Sequence, residues 1–380
     1  MITRIAIDGY KCFSKFDFLL EDPAFVFFSG RNGSGKSTLF EVLALVRDIA
    51  ARGVPLVADD GRFLVMGSTV TRWKDKVDAQ TFEIEATIDG HAYHYRLVVD
   101  AKTPDRTPRV HQECLECEKK PVFSCEDGAV SLSNNRGQKK VAFHVDWSKS
   151  FLSSVAERPE SARLTAFRKW LSQITVLRPS PSQMSSVASR EARSPTPDLH
   201  DFTSWFRYLK QSGGDERYVE LLEDLKLTIP GLCGMPFDDI GDKAKELFVE
   251  IRGKDRRLSR YSFAELSEGQ RMLIALYSIV RFALTDGATI CLDEPDNFLS
   301  VGEVSSLIGA LRDVCDDLTG GQAMVISHHP EFYRQVGLEN GFVFGHDPSA
   351  PVAAKGMGGV LHGKTGVMSL DDIIARGWEI

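Results

Sequence analysis

The sequence has few cysteines and no long apolar run, and its first residues lack the pattern of a leader segment. Its seven cysteines among 380 residues are too few, and odd in number, for a disulfide framework, which favours reduced thiols. No run reaches the ~20 apolar residues that a membrane span needs. The richest stretch, residues 272–284, contains Ser278 and Arg281. The first residues lack a basic leader with an apolar core. We therefore expect a cytoplasmic protein that does not enter a membrane.

An excess of positive charge is also lacking. Lys and Arg number 46 against 53 Asp and Glu, which gives a formal net charge of −7. Such a balance excludes a chain-wide field that attracts DNA or anionic lipid, so any DNA contact needs a local patch. One basic cluster offers such a patch, or alternatively a solvated turn between strands; it consists of Arg252, Lys254, Arg256, Arg257 and Arg260.

Hydrophobic periodicity predicts a mixed α/β protein. Residues 24–28 form an apolar run typical of a buried strand, and after a glycine-rich loop residues 37–52 have helical spacing. Between about residues 63 and 145 the alternation predicts an antiparallel sheet, with a hairpin that turns at Asp89 and Gly90.

The rest of the chain predicts helices around a loop and then a second lobe. Residues 150–174 and 201–227 have helical spacing, whereas residues 179–197 are rich in Ser and Pro and are expected to be a mobile loop. We therefore divide the chain into residues 1–148, a helical insertion over 149–245, and residues 246–380.

A phosphate-binding loop pattern joins the buried strand to the first helix. Residues 30–37 read G-R-N-G-S-G-K-S, which matches G-x-x-x-x-G-K-S in the required strand-to-helix context. Backbone N–H groups of such a loop surround phosphates, and the helix offers its positive end. Lys36 adds a positive charge, and the Ser37 hydroxyl can bind Mg²⁺. The expected ATP contacts are Gly30, Asn32, Gly33, Ser34, Gly35, Lys36, Ser37 and Thr38.

Two carboxylates end a later apolar strand, in the segment T-I-C-L-D-E-P over residues 289–295. Adjacent residues on a strand point in opposite directions, so Asp293 and Glu294 can take different roles. We expect Asp293 to hold Mg²⁺ and Glu294 to polarise the attacking water. An acidic pair of this kind, taken alone, is also typical of a solvated turn.

Residues 266–270 read L-S-E-G-Q and open an amphipathic helix, which alone indicates a capped helix start. Here the chain resembles the ABC-type ATPase superfamily, whose signature reads LSGGQ, although Glu268 stands where that signature has glycine. The resemblance implies a head-to-tail homodimer, or a higher oligomer, that sandwiches ATP. The signature contacts to the partner's nucleotide would come from Ser267, Glu268, Gly269 and Gln270.

The superfamily resemblance extends to two further segments. Residues 324–330 read M-V-I-S-H-H-P, and the order of the family's motif makes His328, rather than His329, the switch histidine that contacts the γ-phosphate and the attacking water. Residues 295–300 resemble the D-loop at the dimer seam, where Asp296 and Asn297 are the expected polar contacts.

The opening residues 5–13, I-A-I-D-G-Y-K-C-F, resemble the start of RecF-, SMC- and OLD-type ATPases. The long interval between Lys36 and Ser267 fits this branch and disfavours a transporter subunit. Heptad repeats are lacking, and the segment after His328 is short for an OLD-type nuclease domain. The chain is thus similar to the stand-alone ATPases called AAA_21, many of which belong to bacterial antiphage or toxin–antitoxin systems.

This resemblance implies an α/β fold: a P-loop ABC-type ATPase head with a mixed central sheet, an antiparallel β subdomain and a helical insertion. It implies ATP and Mg²⁺ as ligands and a separate effector, a nuclease or a toxin. Two alternatives stay open, a RecF-like clamp that grips DNA and an ATP-bound scaffold that sequesters a toxin.

Two further features of the sequence give weaker predictions, one for a zinc site and one for the coupling glutamine of the family. Cys114, Cys117 and Cys125 near His111 allow a zinc site, but the alternation of the same segment favours a strand hairpin with Leu115 against residues 122–123. The coupling glutamine of the family has only two weak candidates, which are Gln80 and Gln183.

Overall fold

The structure is a computed structural model that describes residues 1–20, 24–74, 76–133, 139–157, 161–212, 214–345, 347 and 349–358. Its helices are α1 (Lys36–Val46), α2 (Ala162–Ser172), α3 (Phe202–Ser212), α4 (Asp215–Thr228), α5 (Glu268–Ser278), α6 (Val301–Asp317), α7 (Pro330–Phe332) and α8 (Leu338–Asn340). The strands of the N-terminal sheet are β1 (Ile2–Asp8), β2 (Phe16–Leu19), β4 (Ala79–Ile88), β5 (His91–Asp100), β6 (Arg109–Cys117), β7 (Lys120–Glu126), β8 (Ala129–Ser133) and β9 (Lys139–His144).

The other strands form two further sheets. The central sheet contains β3 (Phe25–Gly30), β10 (Thr175–Leu177), β16 (Thr289–Asp293), β17 (Gln322–Ile326), β18 (Gly341–Phe344) and β19 (Ala354–Gly356). The third sheet contains β11 (Val187–Ala188), β12 (Leu232–Gly234), β13 (Phe237–Ile240), β14 (Ala244–Arg252) and β15 (Leu258–Ser262).

The N-terminal sheet is antiparallel, in the order β2-β1-β4-β5-β6-β7-β8-β9. The predicted hairpin is confirmed, since β4 and β5 pair along their whole length around the turn at Asp89 and Gly90. Pairing of β6 with β7 places Leu115 opposite Phe123, as the hairpin interpretation predicts. The alternation predicts further strands over residues 110–117, 121–125 and 140–145, but it does not predict β8 between the last two, because its five residues lie between turns and are short for a period-two signal.

The central sheet has the order β10-β16-β17-β3-β18-β19 and is parallel except for the last pair. Leu177 pairs with Leu292, and Ile326 pairs with both Asp293 and Phe28. The carboxyl ends of β10, β16, β17 and β3 therefore meet at one edge, which is where ligands bind in open α/β sheets. Strand β10 lies within the predicted insertion yet joins this sheet, and the limits at residues 148 and 245 stay a prediction.

Apolar side chains cover both faces of the central sheet. Val26 and Phe28 of β3 belong to the cluster that contains the buried face of α1, whereas Phe25 and Phe27 belong to the cluster around α5 and α6. Complete burial of one such side chain stabilises the fold by about 1.5–3 kcal/mol. A buried amide joins the two larger sheets, because Gln322 accepts from Ile2 N at 2.9 Å and donates to Ile2 O at 3.1 Å.

A buried carboxylate holds the segment that follows β9, the last strand of the N-terminal sheet. Glu113 on β6 is fully buried and accepts hydrogen bonds from Tyr95 Oη at 2.8 Å and Ser150 Oγ at 2.6 Å. It also accepts from the backbone N–H of Phe151 at 2.7 Å. The chain is thereby held against the sheet where it turns toward α2.

No helix within the described ranges is both long and apolar enough to cross a lipid bilayer.

Candidate functional site

The glycine-rich loop lies between β3 and α1, as predicted. Gly35 has φ +95°, a left-handed conformation that favours glycine, and a Cβ there would lie 2.9 Å from the Cys12 sulfur. The Lys36 ammonium points back into the loop and donates to Gly30 O at 2.6 Å and Arg31 O at 3.0 Å. Burial lowers the pKa of Lys36, and the charges of Glu294 and Asp293 oppose that effect.

The remaining loop residues line the same turn and the start of α1. Asn32, Gly33 and Ser37 are exposed, and Thr38 lies in the first helical turn beside Cys12. The Ser34 hydroxyl is buried and has no hydrogen-bond partner among the described residues. An unpaired buried hydroxyl is costly, and a phosphate oxygen would satisfy it.

Asp293 ends β16 next to this loop. Its Oδ1 atom is buried and finds no hydrogen-bond partner in the part of the chain that the structure describes. Burial raises the pKa of Asp293, while the Ser37 hydroxyl and the charges of Arg178 and Lys36 act in the opposite direction. A carboxylate and a hydroxyl beside a phosphate loop fit the oxygen ligands that Mg²⁺ prefers.

Glu294 leaves the strand in a left-handed conformation, with φ +52°. Its N–H donates to Ile326 O at 2.9 Å, which fixes the turn against β17. Its carboxylate accepts from Asn297 Nδ2 at 3.1 Å and lies 3.8 Å from Arg178 Nη2. A non-glycine residue with positive φ stores strain that neighbouring contacts must offset, and such residues concentrate at functional sites.

The two histidines after β17 have different environments. His329 accepts a hydrogen bond at Nδ1 from Glu331 N at 3.2 Å and thereby caps α7. The His328 side chain is exposed, and its pKa is lowered by desolvation and by the charge of Lys36. Its neutral imidazole can exchange hydrogen bonds with a ligand, and the choice of His328 over His329 stays a prediction.

The signature segment forms the start of α5. Ser267 Oγ accepts from Gln270 N at 3.2 Å, and Gln270 Oε1 accepts from Ser267 N at 3.1 Å, which confirms a capped helix start. Glu268 lies in the first turn. A Cβ on Gly269 would lie 2.9 Å from the carbonyl oxygen of Phe298, so the signature packs tightly against the D-loop.

The D-loop follows the acidic strand along the chain and packs against the signature. Oδ1 of Asp296 is buried without a hydrogen-bond partner among the described residues, and burial raises its pKa. Asn297 is exposed and holds Glu294, as described above. Phe298 has φ +78° and its side chain is 54% exposed, although it is a large aromatic residue. The main chain of this exposed residue lies against the signature.

The predicted residues therefore fall into two groups. The phosphate loop, Asp293, Glu294, Asp296 and His328 follow the ends of β3, β16 and β17, which lie side by side in parallel register at the carboxyl edge of the central sheet. The signature residues contact the D-loop, and within the described ranges the side-chain hydrogen bonds of Ser267 and Gln270 stay inside their own cap.

Sequence reasoning did not assign Arg178 to the site. It directly follows the short strand T-V-L and borders the Ser/Pro-rich segment, which was expected to be a loop. The pairing of β10 with β16, which brings Arg178 to the site, is not visible from the sequence. The glutamine candidates lie elsewhere. Gln80 is buried and bound to Met66 N, Gly9 O and Thr69 O, and Gln183 is exposed on a 3₁₀ turn.

The cysteine cluster lies on β6 and β7, away from these motifs. Cys117 and Cys125 are buried in the sheet core, and burial raises the pKa of Cys125 to about 11. No group of three potential metal ligands lies together among the residues that the structure describes.

Known proteins resemble the chain in sequence pattern and in fold. The AAA_21 family model, described as "AAA domain, putative AbiEii toxin, Type IV TA system", matches residues 25–333. The SmcHead bound to the C-winged helix domain of ScpA superposes with TM-score 0.57 at 14% identity and covers 95% of this chain and 99% of that chain.

A second solved structure gives the same result. The Smc head domain with an extended coiled coil bound to the C-terminal domain of ScpA, derived from Pyrococcus furiosus, has TM-score 0.53 at 13% identity and covers 95% of this chain and 98% of that chain. No curated protein matches the chain significantly. These similarities confirm the predicted α/β fold of an ABC-type ATPase head.

Proposed function

The chain belongs to the AAA_21 family and has the fold of an SMC-type ATPase head, and on this basis we propose that it binds and hydrolyses ATP as a nucleotide-driven dimer that switches a separate effector. The observation that carries this proposal is the meeting of Lys36, Asp293, Glu294 and His328 at one edge of the central sheet, where the parallel strands β3, β16 and β17 end side by side.

Each of these side chains has a distinct task. Lys36, which donates to two carbonyls of its own loop, would pair with phosphate oxygens when ATP binds. Glu294 orients the attacking water and accepts its proton, and the neutral His328 imidazole contacts the γ-phosphate and that water. Asp293 and Ser37 would hold Mg²⁺, which neutralises phosphate charge when bound.

Dimerisation is proposed because the signature and the phosphate loop form separate groups within one chain. A second copy, placed head to tail, would bring its Ser267, Glu268, Gly269 and Gln270 to the first copy's nucleotide. The exposed Phe298 and Val301, 54% and 59% accessible, would then be covered at the seam. Asp296 and Asn297 would lie along the same seam.

The effector is proposed to be another protein. The Smc heads that share this fold are bound to ScpA domains, and the family description names a toxin system. By analogy, this ATPase would act on a nuclease or toxin in bacterial antiphage defence or a toxin–antitoxin system.

Substitution of the loop lysine tests the ATPase proposal directly. Lys36→Ala should abolish ATP binding and turnover, because the buried ammonium is the loop's own cation for the phosphates. Lys226→Ala, which removes an exposed lysine from α4, serves as the control and should change neither. Retained ATP binding and hydrolysis by Lys36→Ala would contradict the proposal.

A DNA-binding clamp is the second candidate, favoured by the hairpin of β14 and β15. Arg252, Lys254, Arg256 and Arg257 are exposed around its turn, and the hairpin leads through a short 3₁₀ turn into the signature helix. Arg260 is instead paired with Asp238 at 2.6 Å. The exposed cations could follow a phosphate backbone when two copies are aligned.

Charge reversal separates the two candidates. If the clamp operates, the double variant Arg256→Glu/Arg257→Glu should bind DNA more weakly in the presence of ATP, and its DNA affinity should depend less on the salt concentration. DNA binding that is absent in wild-type protein, with ATP turnover intact, would leave the effector switch as the function.

A further inference from the structure

We propose that Arg178 is the γ-phosphate sensor of this ATPase: its guanidinium, which lies beside Glu294, binds the γ-phosphate when ATP is bound. This inference rests on the proposed function, because it requires ATP at the loop of residues 30–37. Arg178 lies outside every motif of the family described above.

The sheet register places Arg178 beside the acidic pair. Leu177, the last residue of β10, pairs with Leu292 of β16, so Arg178 leaves the sheet at the level where Asp293 and Glu294 leave it. Strand β10 is the outermost strand on this side of the central sheet. The guanidinium therefore approaches the carboxylates from the side, opposite to β17 and its histidine.

The contact made by Arg178 is loose and exchangeable. Its Nη2 atom lies 3.8 Å from Glu294 Oε2, beyond hydrogen-bond distance, and its side chain is 69% exposed. An exposed ion pair of this kind contributes little stability. Glu294 keeps a direct hydrogen bond from Asn297 Nδ2 at 3.1 Å, so it stays oriented after Arg178 departs.

A phosphate is the stronger partner for this side chain. The planar guanidinium binds two oxygens of one phosphate with parallel hydrogen bonds, which is stronger than a single long ion pair. The charge of Arg178 also reaches Asp293, so the guanidinium lies within electrostatic range of the candidate Mg²⁺ ligand. Its transfer to the γ-phosphate would free Glu294 to act on water.

The backbone after Arg178 links this exchange to the signature lobe. Arg178 N donates to Pro197 O at 2.7 Å, and Ser180 N donates to Asp198 O at 3.0 Å, so hydrogen bonds join the two ends of the segment. Within it, Val187 pairs with Glu246 of β14, and the 3₁₀ turn Pro181–Gln183 packs on α5. A shift of Arg178 therefore acts on the elements that carry the signature.

Affinities for two nucleotides that differ by one phosphate test the sensor. Calorimetric titration of AMP-PNP and ADP, each with Mg²⁺, should show that Arg178→Ala weakens AMP-PNP binding by about tenfold or more, because a hydrogen-bonded charge pair is lost. ADP affinity should change by less than about twofold, since no γ-phosphate is present. Arg178→Lys keeps the positive charge but loses the planar guanidinium with its two parallel donors, so its AMP-PNP affinity should lie between those of the wild-type protein and Arg178→Ala.

A matched control lies in the same segment. Arg190→Ala removes an exposed arginine from it and should leave both affinities unchanged. If Arg178→Ala alters AMP-PNP and ADP affinity equally, or alters neither, the sensor inference fails while nucleotide binding by the wild-type protein still supports the proposed function. If wild-type protein binds neither nucleotide, both fail.

Discussion

The main chain of Gly269 packs against the carbonyl oxygen of Phe298, so closely that a Cβ at position 269 would lie 2.9 Å from that oxygen. This contact joins the signature helix to the D-loop within one chain. Phe298 itself has φ +78° and lies four residues after Glu294. Any displacement of the signature therefore reaches the segment that positions the proposed water-orienting carboxylate.

Gly269→Ala should separate nucleotide binding from turnover. The added methyl group cannot fit without moving the D-loop, so we expect ATP hydrolysis to fall by about tenfold or more while ATP affinity changes little. Gly309→Ala is the matched control, because a Cβ at that position of α6 meets no atom within 4 Å. Full turnover by Gly269→Ala would show that the contact has no role in hydrolysis.

Glu294→Gln should trap the ATP-bound state. The amide keeps the size of the side chain but cannot accept the proton of water, so we expect ATP binding with turnover reduced on the order of a hundredfold or more. Light scattering on a sizing column should then show a doubled mass with ATP and Mg²⁺, and not without them. The double variant with Lys36→Ala should stay at the lower mass. Bound ATP without a change of mass would instead favour the scaffold alternative or a preformed oligomer.

The fall of the ATP turnover rate at acidic pH should follow the protonation of His328. Desolvation and the charge of Lys36 lower its pKa, so the imidazole stays neutral to a more acidic pH than an ordinary histidine, whose pKa is about 6.5. The turnover rate should therefore hold from pH 8 down to about 6.5 and fall only below it. His328→Gln should lower the rate on the order of a hundredfold and remove this fall at acidic pH.

The alternative outcomes of that titration are distinct. A wild-type midpoint above pH 7 would contradict the lowered pKa of His328. If the fall at acidic pH persists in His328→Gln, it belongs to another group, and Asp293 is the first candidate because burial raises its pKa.

Glu113→Ala should destabilise the fold without touching the nucleotide site. The change leaves Tyr95 Oη, Ser150 Oγ and the N–H of Phe151 buried without their acceptor, which we expect to cost about 3 kcal/mol or more of unfolding free energy. Urea denaturation measures this loss. Glu116→Ala, on the other face of the same strand, should cost less than about 1 kcal/mol. Equal losses for both variants would show that the buried network is not the reason.

Much of the site follows from local pattern. The loop of residues 30–37 needs glycines, a lysine and a hydroxyl in fixed order between a strand and a helix, and the structure has that arrangement. The capped start of α5 was likewise predicted, because Ser267 and Gln270 satisfy each other's backbone within one turn. Strand β8 was not, since five residues between turns carry too weak an alternation.

The sequence by itself therefore determined most of the helices and strands, the phosphate loop and the acidic pair, because each depends on residues that are close along the chain. Only the tertiary structure decided which strand ends become neighbours. The parallel register of β10, β16, β17 and β3 brings Arg178 beside Glu294, although the two are more than a hundred residues apart in sequence. Strand pairing depends on contacts between distant segments, which no local period records.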